Sequence, residues 1–289
     1  MGAILEGMRP RQWAKNVFVL AGVVFAGKLF ELPLVLRALA AFALFCAASS
    51  AAYLVNDFAD READAHHPTK RRRPIASGRL SPALALSMAA LLAAIAIGGA
   101  LAVSRGLFAF VIGYFALTLA YNLLLKRIFI VDAIAVAAGF VLRAAAGAAA
   151  IDAVISPWLL SCSFSLALFL ALGKRRHELT LLGDSAEAHR TALGDYTVAL
   201  LDSWLTALTG ATIVAYALYT QAPRTVEHFG TTNLIYTVPF VVYSLFRYQH
   251  RVVAEGKGGD PGAALLHDQG LFLAISGWAA AAAWVIYAR

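Results

Sequence analysis

The chain has 289 residues, of which 61% are hydrophobic and only 14% are charged. Soluble domains carry roughly 25% charged residues, so this composition excludes an ordinary water-soluble fold and indicates an integral membrane protein. The formal net charge is +7, and most of the 24 lysine and arginine residues lie between apolar runs. A basic protein of this kind suits anionic lipid headgroups or phosphorylated substrates, and we expect no nucleic-acid partner.

Apolar runs of about 20 residues, the length that an α-helix needs to cross a bilayer, recur along the whole sequence. Their richness in Ala, Leu and Val and their lack of period-two alternation favour helices over a transmembrane barrel. We therefore predict an all-α integral membrane protein with nine transmembrane helices in a single polytopic domain, residues 1–289. The predicted spans lie near residues 13–30, 34–55, 83–103, 107–124, 128–150, 156–173, 198–220, 233–249 and 269–287.

The N-terminal segment and the cysteines have simple interpretations. The first apolar run follows Arg9, Arg11 and Lys15 but contains no small-residue cleavage site, so we expect a retained helix and not a signal peptide. Cys46 and Cys162 lie inside apolar runs without metal-ligand spacing, which predicts packed thiols and no disulfide.

The distribution of lysine and arginine among the loops predicts the orientation. Cytoplasmic loops carry the excess of these residues, and most of them fall on one side if the N-terminus is cytoplasmic. We therefore expect a multi-pass protein of the bacterial plasma membrane with its N-terminus inside. This orientation places two long, charged loops near residues 56–82 and 174–197 in the cytoplasm. Long polar loops are often functional, so these two are the candidate active-site loops.

Three carboxylates follow the second predicted span. If the helix continues through this segment, Asp57, Asp60 and Asp64 share one face, with Asn56 beside them. Clustered like charges at the membrane boundary need compensation, and Mg²⁺ provides it because it prefers hard oxygen ligands and bridges to substrate phosphates. The alternative is a solvated acidic helix end whose carboxylates pair with nearby arginines.

The pattern Asn-Asp-x-x-Asp-x-x-x-Asp after the second span resembles the first aspartate-rich motif of the UbiA-type intramembrane prenyltransferase superfamily. Members of that superfamily hold magnesium diphosphate at this motif. The resemblance covers nearly the whole chain and implies a UbiA-like helical bundle. It extends to Tyr121 and Lys126, where the superfamily has a tyrosine and a lysine near the diphosphate. It implies that the catalytic metal ligands for Mg²⁺ are Asp57, Asp60 and Asp64.

One departure from the superfamily pattern concerns the donor substrate. Members that use prenyl diphosphates have a second aspartate-rich motif after the sixth span, whereas this chain has Gly173-Lys174-Arg175-Arg176-His177-Glu178 there. Three cations with one carboxylate are poor ligands for a second Mg²⁺ but suit direct contact with phosphate oxygens. We therefore expect a donor other than a prenyl diphosphate.

Within the superfamily the chain is similar to the bacterial decaprenyl-phosphate phosphoribosyltransferases. These enzymes move phosphoribose from phosphoribosyl diphosphate onto a polyprenyl phosphate, for cell-envelope arabinan precursors. The similarity rests on Arg-Pro-Arg-Gln-Trp-Ala-Lys-Asn at residues 9–16, on residues 56–64, on His-Pro-Thr-Lys-Arg-Arg-Arg-Pro-Ile-Ala at residues 67–76, and on residues 173–178. It implies a magnesium-dependent membrane phosphoribosyltransferase with a polyprenyl phosphate and phosphoribosyl diphosphate as substrates.

Further polar groups are candidates for substrate binding. Arg143 lies midway along the fifth predicted span, where a charge is costly, so it either faces the site or is a polar clamp between helices. Lys15 and Lys126 either bind the lipid phosphate or are interfacial anchors, and the two basic clusters either bind phosphates or are topology signals. The full candidate set is Asn56, Gln12, Lys15, Asn16, Lys70, Arg71, Arg73, Tyr121, Lys126, Arg143, Lys174, Arg175 and Glu178.

Two other functions remain alternatives at this point. The first is prenyl transfer from a prenyl diphosphate to an aromatic or lipid acceptor, against which the missing second acidic motif counts. The second is a lipid transporter, against which count the scarcity of charges within the spans and the absence of matching Gly or Pro interruptions in the two halves. Membrane lipids are expected partners in every case, and a homo-oligomer is left open.

Overall fold

The computed structural model describes residues 2–67, 70–182, 193–259 and 261–287, and every regular element in these residues is a helix. The α-helices are α1 (Gly2–Met8), α2 (Ala21–Phe25), α3 (Leu32–Ala59), α4 (Arg61–His66), α5 (Pro82–Val103), α6 (Arg105–Leu123), α7 (Val131–Ala150), α8 (Pro157–Leu182), α9 (Val198–Gln221), α10 (Pro223–Phe229), α11 (Val238–Val253), α12 (Pro261–His267) and α13 (Gln269–Tyr287). Helices of the 3₁₀ type cover Pro10–Leu20, Lys70–Arg72, Leu125–Arg127 and Asn233–Thr237.

The long helices confirm a multi-pass membrane protein. Within the described residues, seven helices are long and apolar enough to cross a bilayer, or eight if Pro223–Phe229 and Asn233–Val253, which are bent by 99°, form one span. The apolar runs predicted these helices well, because a segment in hydrocarbon must satisfy its backbone hydrogen bonds internally. The predicted count of nine is not confirmed.

The difference from nine spans begins at the N-terminus, where residues 13–30 do not form one α-helix. Pro10–Leu20 is a 3₁₀-helix that continues into the short helix α2. Side chains three residues apart lie on one face of a 3₁₀-helix, and this repeat turns Trp13, Asn16 and Val19 to the same side. Trp13 donates to Ser50 Oγ over 3.0 Å, while Asn16 and Val19 are fully buried. The side chains thus favour the tighter helix over a lipid-facing α-helix.

The first of two compact units comprises Met1–Leu123 and Gly139–Ile155. Helix α3 packs against α5, α6 and the 3₁₀-helix Pro10–Leu20, and its core includes Phe45, Leu107 and Val111. The close approach of Pro10–Leu20 to α7 depends on Gly147, because a Cβ atom there would lie 1.7 Å from the backbone oxygen of Val19. Small residues permit such backbone contact between membrane helices.

The second compact unit comprises Leu124–Ala138 and Ser156–Arg289. Helix α9 packs against α8 and α11, and α11 packs against α13. The core of this unit includes Phe169, Leu201 and Val252, all fully buried. The sequence-based prediction of a single polytopic domain stays a prediction.

The buried carboxylate of Asp268 joins α11 to the start of α13 within the second unit. Its Oδ2 accepts from Arg247 Nη2 and from Arg251 Nη1, each over 2.7 Å, and its Oδ1 accepts from the backbone N of Leu271 over 2.9 Å. The hydrogen bond from Arg247, supported by those from Leu271 and Arg251, holds the pKa of Asp268 well below its usual value. Asp268 is therefore an ionised cap and interhelix anchor.

Candidate active site

The aspartate segment turns slightly at its middle residue. Helix α3 ends at Ala59 and α4 begins at Arg61, and Asp60 between them has φ −88° and ψ 2°. The backbone N of Asp60 still donates to Asn56 O over 2.9 Å, and that of Asp64 donates to Asp60 O over 2.8 Å. Helical hydrogen bonding therefore continues through the break, and the chain keeps close to the register that the sequence predicted.

Two of the three carboxylates meet on one guanidinium group. Arg73 Nη1 lies 3.1 Å from Asp57 Oδ1 and 2.5 Å from Asp64 Oδ2, and both aspartates are only 3% exposed. Arg73 reaches them because the 3₁₀-helix Lys70–Arg72 leads into a turn that Ile75 anchors in an apolar cluster. The loop after the second span thus folds back onto the end of α3.

A second arginine, Arg9, contacts the same carboxylate. Its Nη2 lies 2.5 Å from Asp57 Oδ1, and its guanidinium carbon lies 4.9 Å from the ring centroid of Tyr53. The backbone of Arg9 has a φ of 54°, a conformation that residues other than Gly rarely adopt. The candidate set from the sequence does not include Arg9, although the segment of residues 9–16 that contains it carries part of the family resemblance.

Asp60 has a different partner. Asn56 Nδ2 donates to Asp60 Oδ2 over 3.2 Å, and both side chains are partly exposed. Within the described part of the chain, no three His, Cys, Asp or Glu side chains are grouped closely enough to hold a metal ion. Mg²⁺ is commonly bound by one or two carboxylates together with substrate phosphates and water. The pair Asp57 and Asp64, which already holds a cationic group, fits that donor set.

The basic loop beside the carboxylates is partly described. Lys70 and Arg71 are exposed, whereas Arg73 is half-buried. Pro68 and Thr69, which belong to the segment that resembles the family, lie outside the described residues. Lys70 and Arg71 are therefore accessible to solvent, and their binding of a phosphorylated ligand stays a prediction.

The N-terminal candidates differ in exposure. Gln12 is half-buried and Lys15 is exposed. Asn16 is fully buried, its Nδ2 donates to Ser49 Oγ over 3.1 Å, and its Oδ1 accepts from Arg143 Nε over 2.8 Å. The amide of Asn16 therefore takes part in the packing of the first unit, while a lipid-binding role for Gln12 and Lys15 stays a prediction.

Arg143 forms a polar clamp inside the first unit. Besides Asn16, it donates from Nη1 to Gly139 O over 2.8 Å and from Nη2 to Tyr114 OH over 3.2 Å. Its guanidinium carbon lies 4.9 Å from the Tyr114 ring centroid and 5.4 Å from that of Phe140. These contacts compensate a charge in mid-span, as expected of a polar clamp between helices, and a substrate-binding role for Arg143 stays a prediction.

Tyr121 and Lys126 lie in different local structures. Tyr121 is half-buried near the end of α6, whereas Lys126 is half-buried in the 3₁₀-helix Leu125–Arg127. Their roles near a diphosphate or lipid phosphate stay predictions.

The predicted phosphate ligand Arg175 is held by carboxylates of its own unit. Arg175 is 3% exposed, its Nε donates to Asp132 Oδ2 and its Nη1 to Glu178 Oε2, each over 2.8 Å. Asp132 also accepts a hydrogen bond from the Tyr196 hydroxyl over 2.8 Å. The Tyr196 hydroxyl oxygen in turn accepts one from the backbone N of Ile130 over 3.1 Å. Sequence reasoning missed Asp132 and Tyr196 as members of this network.

The other two cations of this segment differ from each other. Arg176 is buried and its Nε donates a hydrogen bond to the Asp202 carboxylate. Its Nη1 donates to Val252 O over 2.9 Å. Lys174 has an exposed side chain and lies 3.7 Å from Glu178 Oε1. Asp132, Glu178 and Asp202 thus balance the three predicted cations. The predicted loop near residues 174–197 begins later than expected, because α8 continues through Lys174 to Leu182. Residues 183–192 lie outside the described residues.

Two buried carboxylates thus converge at the end of a long apolar helix in the first unit. The sequence model of the UbiA prenyltransferase family matches residues 16–276, and the chain belongs to this family. It is 36% identical to the decaprenyl-phosphate phosphoribosyltransferase of Corynebacterium glutamicum, over 98% of this chain and 86% of the relative. It is 34% identical to the protein of the same name from Mycobacterium tuberculosis, over 97% and 93% of the two chains.

Solved structures support the fold. A UbiA homolog from Archaeoglobus fulgidus, solved with GPP and Mg²⁺ bound, superposes with a TM-score of 0.73 at 17% identity, covering 98% of this chain and 99% of that one. This similarity confirms the predicted UbiA-like helical architecture.

Proposed function

We propose that the chain transfers 5-phosphoribose from phosphoribosyl diphosphate to a polyprenyl phosphate such as decaprenyl phosphate, for the synthesis of cell-envelope arabinan precursors. The observation that carries this proposal is the similarity to two decaprenyl-phosphate phosphoribosyltransferases over nearly the full length of the chain. In the reaction, the bond between the anomeric carbon and the diphosphate oxygen breaks. A bond from that carbon to a lipid phosphate oxygen forms, and diphosphate leaves.

The carboxylate pair is the proposed magnesium site. Asp57 and Asp64 would hold Mg²⁺, which when bound stabilises the charge of the departing diphosphate. Asp60 and Asn56 lie within one helical turn of Asp57 and would contact water or phosphate at the edge of the magnesium site. The lipid phosphate is already anionic, so the reaction needs no strong general base.

The basic groups would bind and orient the substrates. Lys70, Arg71 and Lys174 have exposed side chains, so they can donate charge-assisted hydrogen bonds to phosphates. Arg175 would act indirectly, since its hydrogen bonds to Asp132 and Glu178 orient Glu178 beside Lys174. Gln12, Lys15 and Tyr121 of the first unit would contact the lipid phosphate, and the role of Lys126 as a lipid-phosphate ligand stays a prediction. The proposed location is the bacterial plasma membrane, with the N-terminus and the active site on the cytoplasmic side.

The test uses purified protein in detergent with labelled phosphoribosyl diphosphate, decaprenyl phosphate and Mg²⁺. The proposal requires a phosphoribosyl lipid and one equivalent of diphosphate. A parallel assay offers a prenyl diphosphate with an aromatic acceptor. Prenyl transfer without phosphoribosyl transfer would overturn the proposal in favour of the activity typical of the wider family.

A further inference from the structure

The carboxylate pair of the first unit is occupied by two arginine side chains. We infer that Arg9 and Arg73 make metal binding at Asp57 and Asp64 depend on a bound diphosphate group. The inference rests on the proposed function, because it assumes that these carboxylates hold the metal. It assigns a site role to Arg9 and a second role to Arg73.

The first argument is the number of ligands. Only two carboxylates converge, and within the described residues no third acidic, histidine or cysteine side chain completes a metal site. Mg²⁺ demands six near-octahedral oxygen ligands and loses its water reluctantly. Two carboxylates are a weak site for the free ion, whereas added diphosphate oxygens supply the missing ligands.

The second argument is the charge of the cluster. Arg9 and Arg73 carry two positive charges, and Asp57 and Asp64 carry two negative ones, so the group is neutral before any ligand arrives. The carboxylates are nearly inaccessible, and the two arginine side chains are only 26% and 24% exposed. A divalent cation entering alone would leave this neutral cluster with a net positive charge in a poorly solvated place. A metal that arrives together with a diphosphate group brings negative charge that compensates its own positive charge.

The third argument is geometric competition. Arg9 Nη2 and Arg73 Nη1 both donate to the same oxygen, Asp57 Oδ1, and Arg73 Nη1 also donates to Asp64 Oδ2. A metal bound to these oxygens must displace guanidinium hydrogen bonds. The planar guanidinium group matches phosphate as well as carboxylate, so each arginine can exchange its aspartate for a diphosphate oxygen.

The conformation of Arg9 supports this assignment. Its positive φ and its position over the Tyr53 ring hold the guanidinium at Asp57, and strained backbone of this kind often marks functional positions. A surface residue with no role beyond topology would not need this conformation. Arg9 is thus a positioning residue for the carboxylates until a diphosphate group takes over its hydrogen bonds.

The experiment measures Mn²⁺ retained by the purified full-length protein in detergent, with and without inorganic diphosphate. All variants are compared at the same free concentrations, so that complex formation in solution is common to all. In the wild type, diphosphate should raise the affinity for Mn²⁺ by about ten-fold or more, within the range of typical coupling between sites. Arg73→Gln and Arg9→Gln should bind Mn²⁺ alone several-fold more tightly, and diphosphate should raise their affinity much less.

Two controls make the result specific. Arg37→Gln breaks a different arginine–aspartate pair of the same unit, with Asp152, and should behave as the wild type. Arg73→Lys and Arg9→Lys keep the charge but lose the planar guanidinium group, so the diphosphate enhancement of their Mn²⁺ affinity should lie between those of the wild type and the Gln variants. The Lys variants also test the inference if a Gln variant fails to fold.

Three outcomes overturn the inference. One is an unchanged diphosphate enhancement in the Arg9 and Arg73 variants, and another is wild-type Mn²⁺ binding that is equally tight without diphosphate. The third is no retention of Mn²⁺ even with diphosphate. None of these results depends on which substrate is turned over, so phosphoribosyl transfer is judged separately by the transfer assay.

Discussion

The Nε atom of Arg143 lies 2.8 Å from the Oδ1 atom of Asn16, and both side chains are buried within the first unit. Replacing Arg143 by Met would leave Asn16, Gly139 and Tyr114 without these hydrogen bonds. Each buried polar group left unsatisfied costs about 1–3 kcal/mol. We therefore expect Arg143→Met to lower the melting temperature in detergent clearly.

Arg105→Met is the matched control for Arg143, because Arg105 is exposed on α6 of the same unit, and its melting temperature should stay near that of the wild type. An unchanged melting temperature for Arg143→Met, with a several-fold higher Michaelis constant for polyprenyl phosphate, would instead place Arg143 in the substrate site.

The loss of transfer activity on replacing each aspartate should be largest for the two carboxylates that converge. Asp57→Asn and Asp64→Asn each remove a proposed metal ligand, so we expect transfer to fall by about two orders of magnitude, or roughly 2.7 kcal/mol of transition-state stabilisation. Asp60→Asn should cost less, because Asp60 accepts a hydrogen bond from Asn56 and is more exposed than Asp57 and Asp64. Initial rates at saturating substrates measure the ranking.

Removal of the metal and a control variant far from the carboxylate pair complete the test of the aspartates. EDTA should abolish wild-type transfer and added Mg²⁺ should restore it, while Asp152→Asn, which alters only the pair with Arg37, should leave the rate unchanged. Full activity in EDTA would refute the magnesium dependence, and equal losses for Asp60→Asn and Asp57→Asn would refute the ranking.

The network around Arg175 should separate stability from substrate binding. Asp132→Asn leaves the buried charge of Arg175 with weaker compensation, and breaking a buried ion pair in this way costs about 3–5 kcal/mol. We expect a large fall in melting temperature, and partial recovery when Arg175→Met removes the charge as well.

Lys174→Ala should give the opposite pattern. Its side chain is 49% exposed, so stability should change little, while the loss of a charge-assisted bond should weaken donor binding by about 1.5–3 kcal/mol. Titration calorimetry with phosphoribosyl diphosphate and thermal melts distinguish the two effects. A wild-type affinity for the donor in Lys174→Ala would remove Lys174 from the phosphate ligands.

Gly147 should tolerate no side chain. A Cβ atom there would lie 1.7 Å from Val19 O, whereas a Cβ atom at Gly98 would meet nothing within 4 Å. Gly147→Ala must therefore displace the backbone of Pro10–Leu20, and we expect it to destabilise the protein, while Gly98→Ala is close to neutral. Comparable melting temperatures for the two variants would show that this backbone contact is not required.

The sequence predicted the helices better than the contacts between them. Long apolar runs determine α3, α5 and α9 because each segment must satisfy its own backbone hydrogen bonds in lipid. The segment Pro10–Leu20 was the exception. Its apolar composition suggested a span, but its 3₁₀ geometry depends on the hydrogen bonds that Trp13 and Asn16 make to Ser50 and Ser49 of α3, which residue order does not reveal.

For the candidate site, the spacing of Asp57 and Asp64 was sufficient to place them on one helical face. The partners of the cations were not predictable in the same way. The three cations at residues 174–176 suggested direct contact with phosphate oxygens, but Asp132 and Asp202, distant in sequence, contact Arg175 and Arg176. Ion pairs between residues so far apart in the sequence depend on which helix faces pack against each other.

The sequence by itself determined the membrane class, the family and the acidic motif, because composition and local spacing are properties of neighbouring residues. Only the tertiary structure decided that Arg9 and Arg73 meet at Asp57, that Arg143 is a clamp with Asn16, and that Asp132 holds Arg175. These contacts join residues that are 16 to 127 positions apart. A buried charge takes whichever partner the packed helices bring within hydrogen-bonding distance, and the packing is set by the whole unit at once.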